Sequence, residues 1–165
     1  MDINSLFKLG MKRDIPALIP HGKECINLGA GNSHLPFAAS LDLPQWDAEV
    51  DPIPYQSNSL DTIFAFHFFE HLSGKHAIRM LKECERVLVV GGTLNVVVPH
   101  RTSQLAYEDL DHKSFFCEET WRNLFRTSYY IKNREEGWKF EIRTNIIIGL
   151  SERNLALMTQ LQRIA

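Results

Sequence analysis

The chain has 165 residues, of which 44% are hydrophobic and 23% are charged, and its formal net charge is −2 at pH 7. This length suits a single domain, 1–165, with a substantial core, and the composition argues against disorder. The nearly balanced charge gives no reason to expect nucleic acid or an anionic membrane as a partner.

The first predicted element lies in residues 2–18, where a short helix is expected to end at Pro16 and Pro20. This N-terminal segment has no continuous apolar core long enough for a signal peptide. The stretch KECINLGAGNS comes next. Residues 25–28 predict a short buried strand, and the glycines after them predict a tight turn.

The middle of the chain predicts more strands and one long helix. A second strand is predicted at 38–41, with Asp42 just past its end, and a weaker third strand near Val50. Residues 60–68, LDTIFAFHF, are typical of a buried central strand. The following segment has its apolar residues on one helical face. Gly91 and Gly92 are expected to end that helix before a strand at 93–99.

The last third of the chain predicts one short helix and further strands. Residues 118–125 indicate the helix, and WKFEIRTNIIIGLS, 138–151, predicts one or two late strands. A closing helix is expected from Glu152. Strands that alternate with helices indicate an α/β fold with a mainly parallel sheet and helices on both faces.

The turn after the first strand and the acid after the second predict a ligand site. Gly29 and Gly31 carry no Cβ, so the backbone of this Gly-x-Gly turn can lie close to a ligand. At the same edge of a parallel sheet, Asp42 can accept hydrogen bonds from both hydroxyls of a ribose. The pattern therefore predicts an adenosine-containing ligand. A dinucleotide fingerprint fails because His34 replaces its last glycine, and residues 73–76 lack the pattern of a phosphate-binding P-loop.

Several successive stretches together resemble a known family. CINLGAGNS, SLDLP, DPIPYQSNSLDTIFAFHFFEHL and RVLVVGGTLNVVVPH are similar, in this order, to the motifs of class I S-adenosylmethionine-dependent methyltransferases. The small branch called the type 11 methyltransferase domain is the most similar. DLDHKSFFCEETWRNLF resembles the segment after the fifth strand of that branch. The resemblance implies a Rossmann-like methyltransferase fold with a late antiparallel strand, and S-adenosylmethionine as the cofactor.

The resemblance also implies which residues bind the cofactor. The backbone of the glycine turn would approach its methionine part, and Asp42 would bind the ribose hydroxyls. Leu43 would pack against adenine, Asp51 would lie near the adenine amino group, and His67 would line the methyl-transfer pocket. The residues implied in cofactor binding are Asn27, Gly29, Ala30, Gly31, Asp42, Leu43, Asp51 and His67.

Two features depart from the family pattern. Asn27 stands where the family commonly has an acidic residue, so it can hydrogen-bond the methionine amine but supplies no charge. Ten residues separate Gly31 from Asp42, with Pro36 among them. A full helix and a strand do not fit in that length. We therefore expect an abbreviated first crossover.

The stretch HFFEH allows a different interpretation. It matches His-x-x-Glu-His, a zinc-peptidase pattern in which His67 and His71 bind the metal from one helix and Glu70 serves as the base. The residues before it form a buried-strand pattern, which places both histidines at a strand-to-helix junction. Nothing in the sequence marks a third ligand. We therefore predict no metal ligands and keep a zinc hydrolase as a remote alternative.

Three histidines are candidate catalytic bases: His67, His100 and His112. The first two are predicted at the carboxyl ends of strands, and the third in a polar loop beside the same crevice. An imidazole can deprotonate a hydroxyl or amine near neutral pH. Residues 101–111 predict a polar loop over the acceptor side, or a solvated surface.

These patterns predict transfer of a methyl group from S-adenosylmethionine to an unidentified acceptor, with a small molecule or a sugar oxygen favoured. A catalytically inactive methyltransferase-like binding module is the alternative, because Asn27 and the short crossover depart from the family. Three widely spaced cysteines without a Cys-x-x-Cys pair favour a reducing compartment. We expect a cytoplasmic protein that binds neither nucleic acid nor membrane, and the sequence leaves its oligomeric state open.

Overall fold

The computed structural model describes residues 24–32, 35–125, 137–149 and 151–165. Six strands form one sheet in the order β2-β1-β3-β4-β6-β5. Three neighbouring pairs are parallel, and β6 runs antiparallel to both β4 and β5. The expected α/β fold, with a mainly parallel sheet and a late antiparallel strand, is confirmed. The strands are β1 (Cys25–Leu28), β2 (Ala39–Leu41), β3 (Leu60–Phe66), β4 (Leu88–Pro99), β5 (Phe140–Ile148) and β6 (Ala156–Arg163).

Within the described residues, the α-helices are α1 (Gly74–Val87) and α2 (Glu118–Phe125). Helix α1 buries Ala77, Leu81 and Cys84, whose spacing of three and four residues puts them on one face. They share the main core with Trp121 of α2, so both helices cover the same face of the sheet. The sequence predicts helices on both faces of the sheet, whereas the described helices cover one face only. Short 3-10 turns lie at Phe69–His71, Gln104–Ala106 and Glu152–Asn154.

The connection from β1 to β2 is short, as the sequence predicts. Residues 29–32 and 35–38 between the two strands form turns and bends, with no helical residue described. The abbreviated first crossover is thus confirmed. Because β1 to β4 are parallel, their carboxyl ends at Leu28, Leu41, Phe66 and Pro99 lie at one edge of the sheet.

Three predicted elements differ from the structure. The residues around Val50 form turns, and Val50 is exposed, so the weak third strand is wrong. The helix expected to run to Gly91 ends at Val87, and Gly91 and Gly92 lie inside β4. Glu152 begins a 3-10 turn rather than a closing helix, and the chain then forms β6.

The helix predicted at 2–18 lies outside the described residues. In the described part of the chain, no helix combines the length and the apolar character needed to cross a membrane.

Candidate functional site

The glycine turn after β1 has the backbone conformation that its sequence predicts. Gly29 and Gly31 have φ values of 61° and 49°, in the left-handed region that favours glycine. The N–H of Gly29 donates to the carbonyl of Leu41 at 2.9 Å, which ties the turn to β2. A Cβ on Gly29 would lie 2.4 Å from the ring of Phe68, whereas a Cβ on Gly31 would meet nothing within 4 Å. Gly29 therefore permits close packing, and Gly31 leaves open space.

Asp42 lies at the end of β2, beside this turn. Its two carboxylate oxygens accept hydrogen bonds from the N–H groups of Gly31 and Leu43, the second at 2.8 Å. Each carboxylate oxygen retains a second lone pair for a ligand. The side chain of Leu43 is 67% exposed, so its apolar surface is available to a flat ring.

Two adjoining cavities lie at this edge of the sheet. The first, which we name the glycine-loop cavity, has a volume of about 610 Å³ and is lined by Gly29, Gly31, Asp42, Leu43, Trp46, Asp47, Ala48, Glu49, His67, Phe68, His71, Leu72, Asp111 and Lys113. The second, of about 700 Å³, shares four of these residues, adds Ala30 and Asp51, and is named the Asp51 cavity. Both volumes lie in the range of ordinary ligand sites.

The structure brings most of the predicted cofactor residues together around these two cavities. Asn27 differs, because it is buried inside β1 and lines neither of the two. The carboxylate of Asp51 accepts the N–H of Asp47 at 2.9 Å, so one of its oxygens supports the local backbone. Asp51 nonetheless lines the same cavity as Asp42.

Trp46 is a wall residue that the sequence analysis missed. It lines both cavities, is buried, and stacks on Phe68 with ring centroids 6.3 Å apart. Its indole N–H donates to the carbonyl of Pro52 at 2.9 Å, which fixes the ring. The available sequence indication is an aromatic residue in the loop that directly follows Asp42.

A salt bridge forms part of the lining of the glycine-loop cavity. Lys113 Nζ lies 2.9 Å from Glu49 Oε1, and both residues line the cavity. The hydrogen bond from Lys113 lowers the pKa of Glu49, and His76, at 3.3 Å, lowers it further. The pair joins the loop after β2 to the loop that carries His112.

A third cavity lies on the other side of the β3 end. It has a volume of about 600 Å³, and we name it the histidine cavity; its lining residues are His67, Glu70, His71, Pro99, Leu105, Glu108, Asp109, Leu110 and His112. His67 and His71 line both this cavity and the glycine-loop cavity. The two spaces therefore adjoin at these histidines.

His67 has an unusual backbone and a fixed ring. Its φ is 52°, and its N–H donates to the carbonyl of Val97 at 2.8 Å. Its Nδ1 lies 3.0 Å from Oε1 of Glu70, whose side chain is 1% exposed. His67 precedes the 3-10 turn Phe69–His71 and shares no regular helix with His71. The arrangement of the zinc-peptidase pattern is therefore not formed.

His112 contacts His71 in the lining of the histidine cavity. The two rings make an edge contact with centroids 4.9 Å apart, and Nδ1 of His112 lies 3.1 Å from the carbonyl of Ala106. The N–H groups of Lys113 and Ser114 donate to the carbonyl of Glu70 at 2.7 Å and 3.0 Å. These bonds fix the loop against the turn that follows β3.

The structure places His100 apart from the other candidate bases. It is buried, with Nδ1 2.7 Å from Thr102 Oγ1 and Nε2 3.2 Å from Glu118 Oε2. Hydrogen bonding to its own backbone and to His100 lowers the pKa of Glu118. Both ring nitrogens of His100 thus have partners, and the residue joins the end of β4 to α2.

Comparison with solved structures identifies the class of fold. A chain of the Haloferax volcanii complex between the Trm112 methyltransferase activator and a methyltransferase superposes with a TM-score of 0.63 and 13% identity, over 98% of this chain and 87% of that one. An S-adenosylmethionine-dependent methyltransferase from Aquifex aeolicus gives 0.56 and 14%, over 98% of both chains. One from Methanosarcina mazei gives 0.55 and 14%, over 89% and 95%. The fold is that of the S-adenosylmethionine-dependent methyltransferases.

A sequence comparison matches part of the chain to a protein family. Residues 26–96 match the type 11 family, which is described as a methyltransferase domain. This stretch, which is less than half of the chain, is similar to that domain, and S-adenosylmethionine is the cofactor of the family. A comparison with curated protein sequences finds no match.

Proposed function

We propose that this chain transfers a methyl group from S-adenosylmethionine to an oxygen of a small molecule or a sugar. One observation carries the proposal: the glycine turn and the Asp42 carboxylate lie on one cavity, and that cavity adjoins the histidine cavity at His67 and His71. A donor and an acceptor held in adjoining spaces have the arrangement that a direct transfer requires.

The residues at the glycine-loop cavity fit the cofactor. The bare backbone at Gly31 leaves room for a ligand, and the Asp42 carboxylate can accept the ribose hydroxyls. Leu43 and Trp46 offer apolar surface for adenine, and Asp51 would lie near its amino group. A structural neighbour, phosphoethanolamine N-methyltransferase 1 of Haemonchus contortus, forms a complex with S-adenosylhomocysteine, at a TM-score of 0.60 and 14% identity.

When bound, S-adenosylmethionine supplies a methyl group on a positively charged sulfur, so the protein need only align the acceptor, exclude water and accept a proton. We assign the proton to His67. Its Nδ1 is held by Glu70, and its Nε2 is buried without a hydrogen-bond partner among the described residues, so the hydroxyl of a bound acceptor would supply that partner. A carboxylate behind an imidazole orients the ring and stabilises the imidazolium that forms. Nδ1 of His112 is engaged by the carbonyl of Ala106, and His100 has both nitrogens engaged.

The proposal is tested by calorimetric titration of the purified chain with S-adenosylhomocysteine. We expect micromolar-range binding, about −8 kcal/mol, which falls at least about tenfold in Asp42→Ala. Glu141→Gln is the matched control: it removes a carboxylate from β5, at the opposite edge of the sheet, and should bind like the wild type. Absence of binding by the wild type would leave the fold as an inactive binding module.

A further inference from the structure

We propose that Glu70, His71 and His112 form a binding site for a divalent transition-metal ion in the histidine cavity, and that this ion binds the acceptor oxygen. One ligand atom from each residue lies within 4.8 Å of the other two. Ligands about 2.1 Å from a shared ion lie within about 4 Å of one another, so small side-chain rotations complete the site. All three residues line the cavity.

The carboxylate of Glu70 is the first independent indication of a ligand. Its side chain is 1% exposed, its Oε1 is held by His67 at 3.0 Å, and its Oε2 is buried without a hydrogen-bond partner among the described residues. A buried carboxylate oxygen that lacks a partner is unfavourable unless an ion or a donor binds it. A cation between Glu70 and the two histidines satisfies that oxygen.

The tautomer of His112 is the second indication. The carbonyl of Ala106 can only accept, so Nδ1 of His112, 3.1 Å away, must carry the proton. In the neutral imidazole, Nε2 then has a lone pair that can bind a metal. Metal-binding histidines commonly donate their other N–H to a backbone carbonyl or a carboxylate in this way. The backbone beside the ring is held as well, because the next two N–H groups in the chain bond the carbonyl of Glu70.

The ligand set determines which ion would bind. Two imidazoles and one carboxylate suit Zn²⁺, Co²⁺ or Mn²⁺ better than Mg²⁺ or Ca²⁺, which prefer sites made of oxygen ligands alone. Three protein ligands leave a coordination position open, as in catalytic zinc sites. Asp109 lines the same cavity and adds negative charge that favours a cation, whereas Glu108 is paired with Arg153 at 3.5 Å.

The open position gives the ion a role in the reaction, and this role rests on the proposed function. His71 lines both the histidine cavity and the glycine-loop cavity, so an ion beside it lies between the acceptor space and the donor space. A hydroxyl bound to the ion becomes more acidic and is held in one orientation. An alcohol or sugar hydroxyl is thus favoured over an amine as the acceptor.

The test begins with chelator-treated protein, titrated with Zn²⁺ by calorimetry and with Co²⁺ by visible absorption. We expect one ion per chain, and a Co²⁺ absorption band that shifts when azide takes the open position. His112→Ala should weaken Zn²⁺ binding at least tenfold. His76→Ala is the matched control, because His76 bonds Ser73 and Glu49 outside the cluster, and it should bind Zn²⁺ like the wild type.

The proposal is overturned if the wild type binds no stoichiometric ion, or if His112→Ala binds Zn²⁺ as tightly as the wild type. A Co²⁺ band that azide leaves unchanged would overturn the open position. Titration of the metal-free chain with S-adenosylhomocysteine separates the two proposals. If the chain binds S-adenosylhomocysteine but no metal ion, the metal-site proposal alone is overturned. If the chain binds a metal ion but not S-adenosylhomocysteine, the proposed methyl transfer alone is overturned.

Discussion

At the scale of single residues, the two glycines of the turn differ in what their missing side chains permit. Gly29 packs directly against the ring of Phe68, so an added Cβ has no room there. Gly31 has the same left-handed backbone but open space where a Cβ would lie. The two positions therefore separate the effect of packing from the effect of backbone strain.

We predict that Gly29→Ala lowers the free energy of unfolding by about 2–4 kcal/mol. A left-handed alanine costs about 1–2 kcal/mol, and the overlap with Phe68 adds the remainder. Gly31→Ala should lose only about 1–2 kcal/mol of stability. Its affinity for S-adenosylhomocysteine should nevertheless fall about tenfold, because the new methyl group enters the cavity.

Urea unfolding of both variants checks the stabilities, and calorimetry checks the affinity. Equal stability losses in the two variants would show that the contact between Phe68 and Gly29 contributes nothing measurable.

The sequence predicts one half of the site better than the other. The placement of the glycine turn beside Asp42 is predictable, because it follows from backbone freedom and from position at the ends of neighbouring strands. The cluster of Glu70, His71 and His112 was not predicted as a site. HFFEH indicated a helical zinc pattern, and only the folded loop brings His112 beside His71. Sequence spacing carries no information about such a contact.

At the scale of elements, helix α1 holds the loop that replaces the missing third strand. Arg79 donates to the carbonyls of Ala48 and Val50 at 2.9 Å and 2.7 Å. Glu83 accepts the N–H of Ile53 at 2.9 Å and pairs with Arg86, 2.7 Å away. The loop that carries Asp51 therefore depends on side chains from the helix rather than on a strand ladder.

We predict that Glu83→Gln lowers the free energy of unfolding by about 1–3 kcal/mol at neutral pH, the usual range for charged hydrogen bonds. The hydrogen bonds from Arg86 lower the pKa of Glu83 below its ordinary value of 4.5. A lowered pKa in the folded state means that the stabilisation is complete above pH 4.5 and is lost as the pH falls through the lowered value. The difference between wild type and variant should therefore shrink in acid.

Urea unfolding at a series of pH values measures this difference. Glu119→Gln is the control, since Glu119 forms an exposed pair with Arg122 on α2, and it should change stability by less than about 1 kcal/mol. A difference for Glu83→Gln that stays constant into acid would contradict a charged contribution.

The elements that the sequence misassigned have identifiable physical causes. Around Val50, Asp47 and Asp51 bond each other's backbone, which satisfies the loop without a partner strand. Gly91 and Gly92 accommodate an irregularity in the pairing of β3 with β4 rather than a helix end. Leu157 and Leu161 of β6 are four residues apart and suit a helix and a strand equally well. Pairing with β4 and β5 decides between them.

At the scale of the whole molecule, one sheet joins the strands beside the glycine-loop cavity to β5 and β6. Strand β6 pairs with β4 along its length, and Gln160 donates to the buried Asn95 at 2.9 Å. Arg163 at the end of β6 donates to Asn58 and to the carbonyl of Leu88. The C-terminal strand thus contacts the loop between β2 and β3. These contacts favour a single cooperative unit.

We predict that S-adenosylhomocysteine raises the melting temperature of the whole chain in one transition. At a ligand concentration 100 times the Kd the stabilisation is about 2.7 kcal/mol, which for a chain of this size corresponds to about 5–10 °C. Tryptophan fluorescence includes Trp46 at the ligand cavities, whereas far-UV circular dichroism follows the sheet as a whole. Both measurements should shift together, because β6 links the late strands to β4. Two separate transitions would contradict this prediction. If the ligand shifts only the transition that fluorescence detects, β5 and β6 unfold separately from the strands beside the ligand cavities.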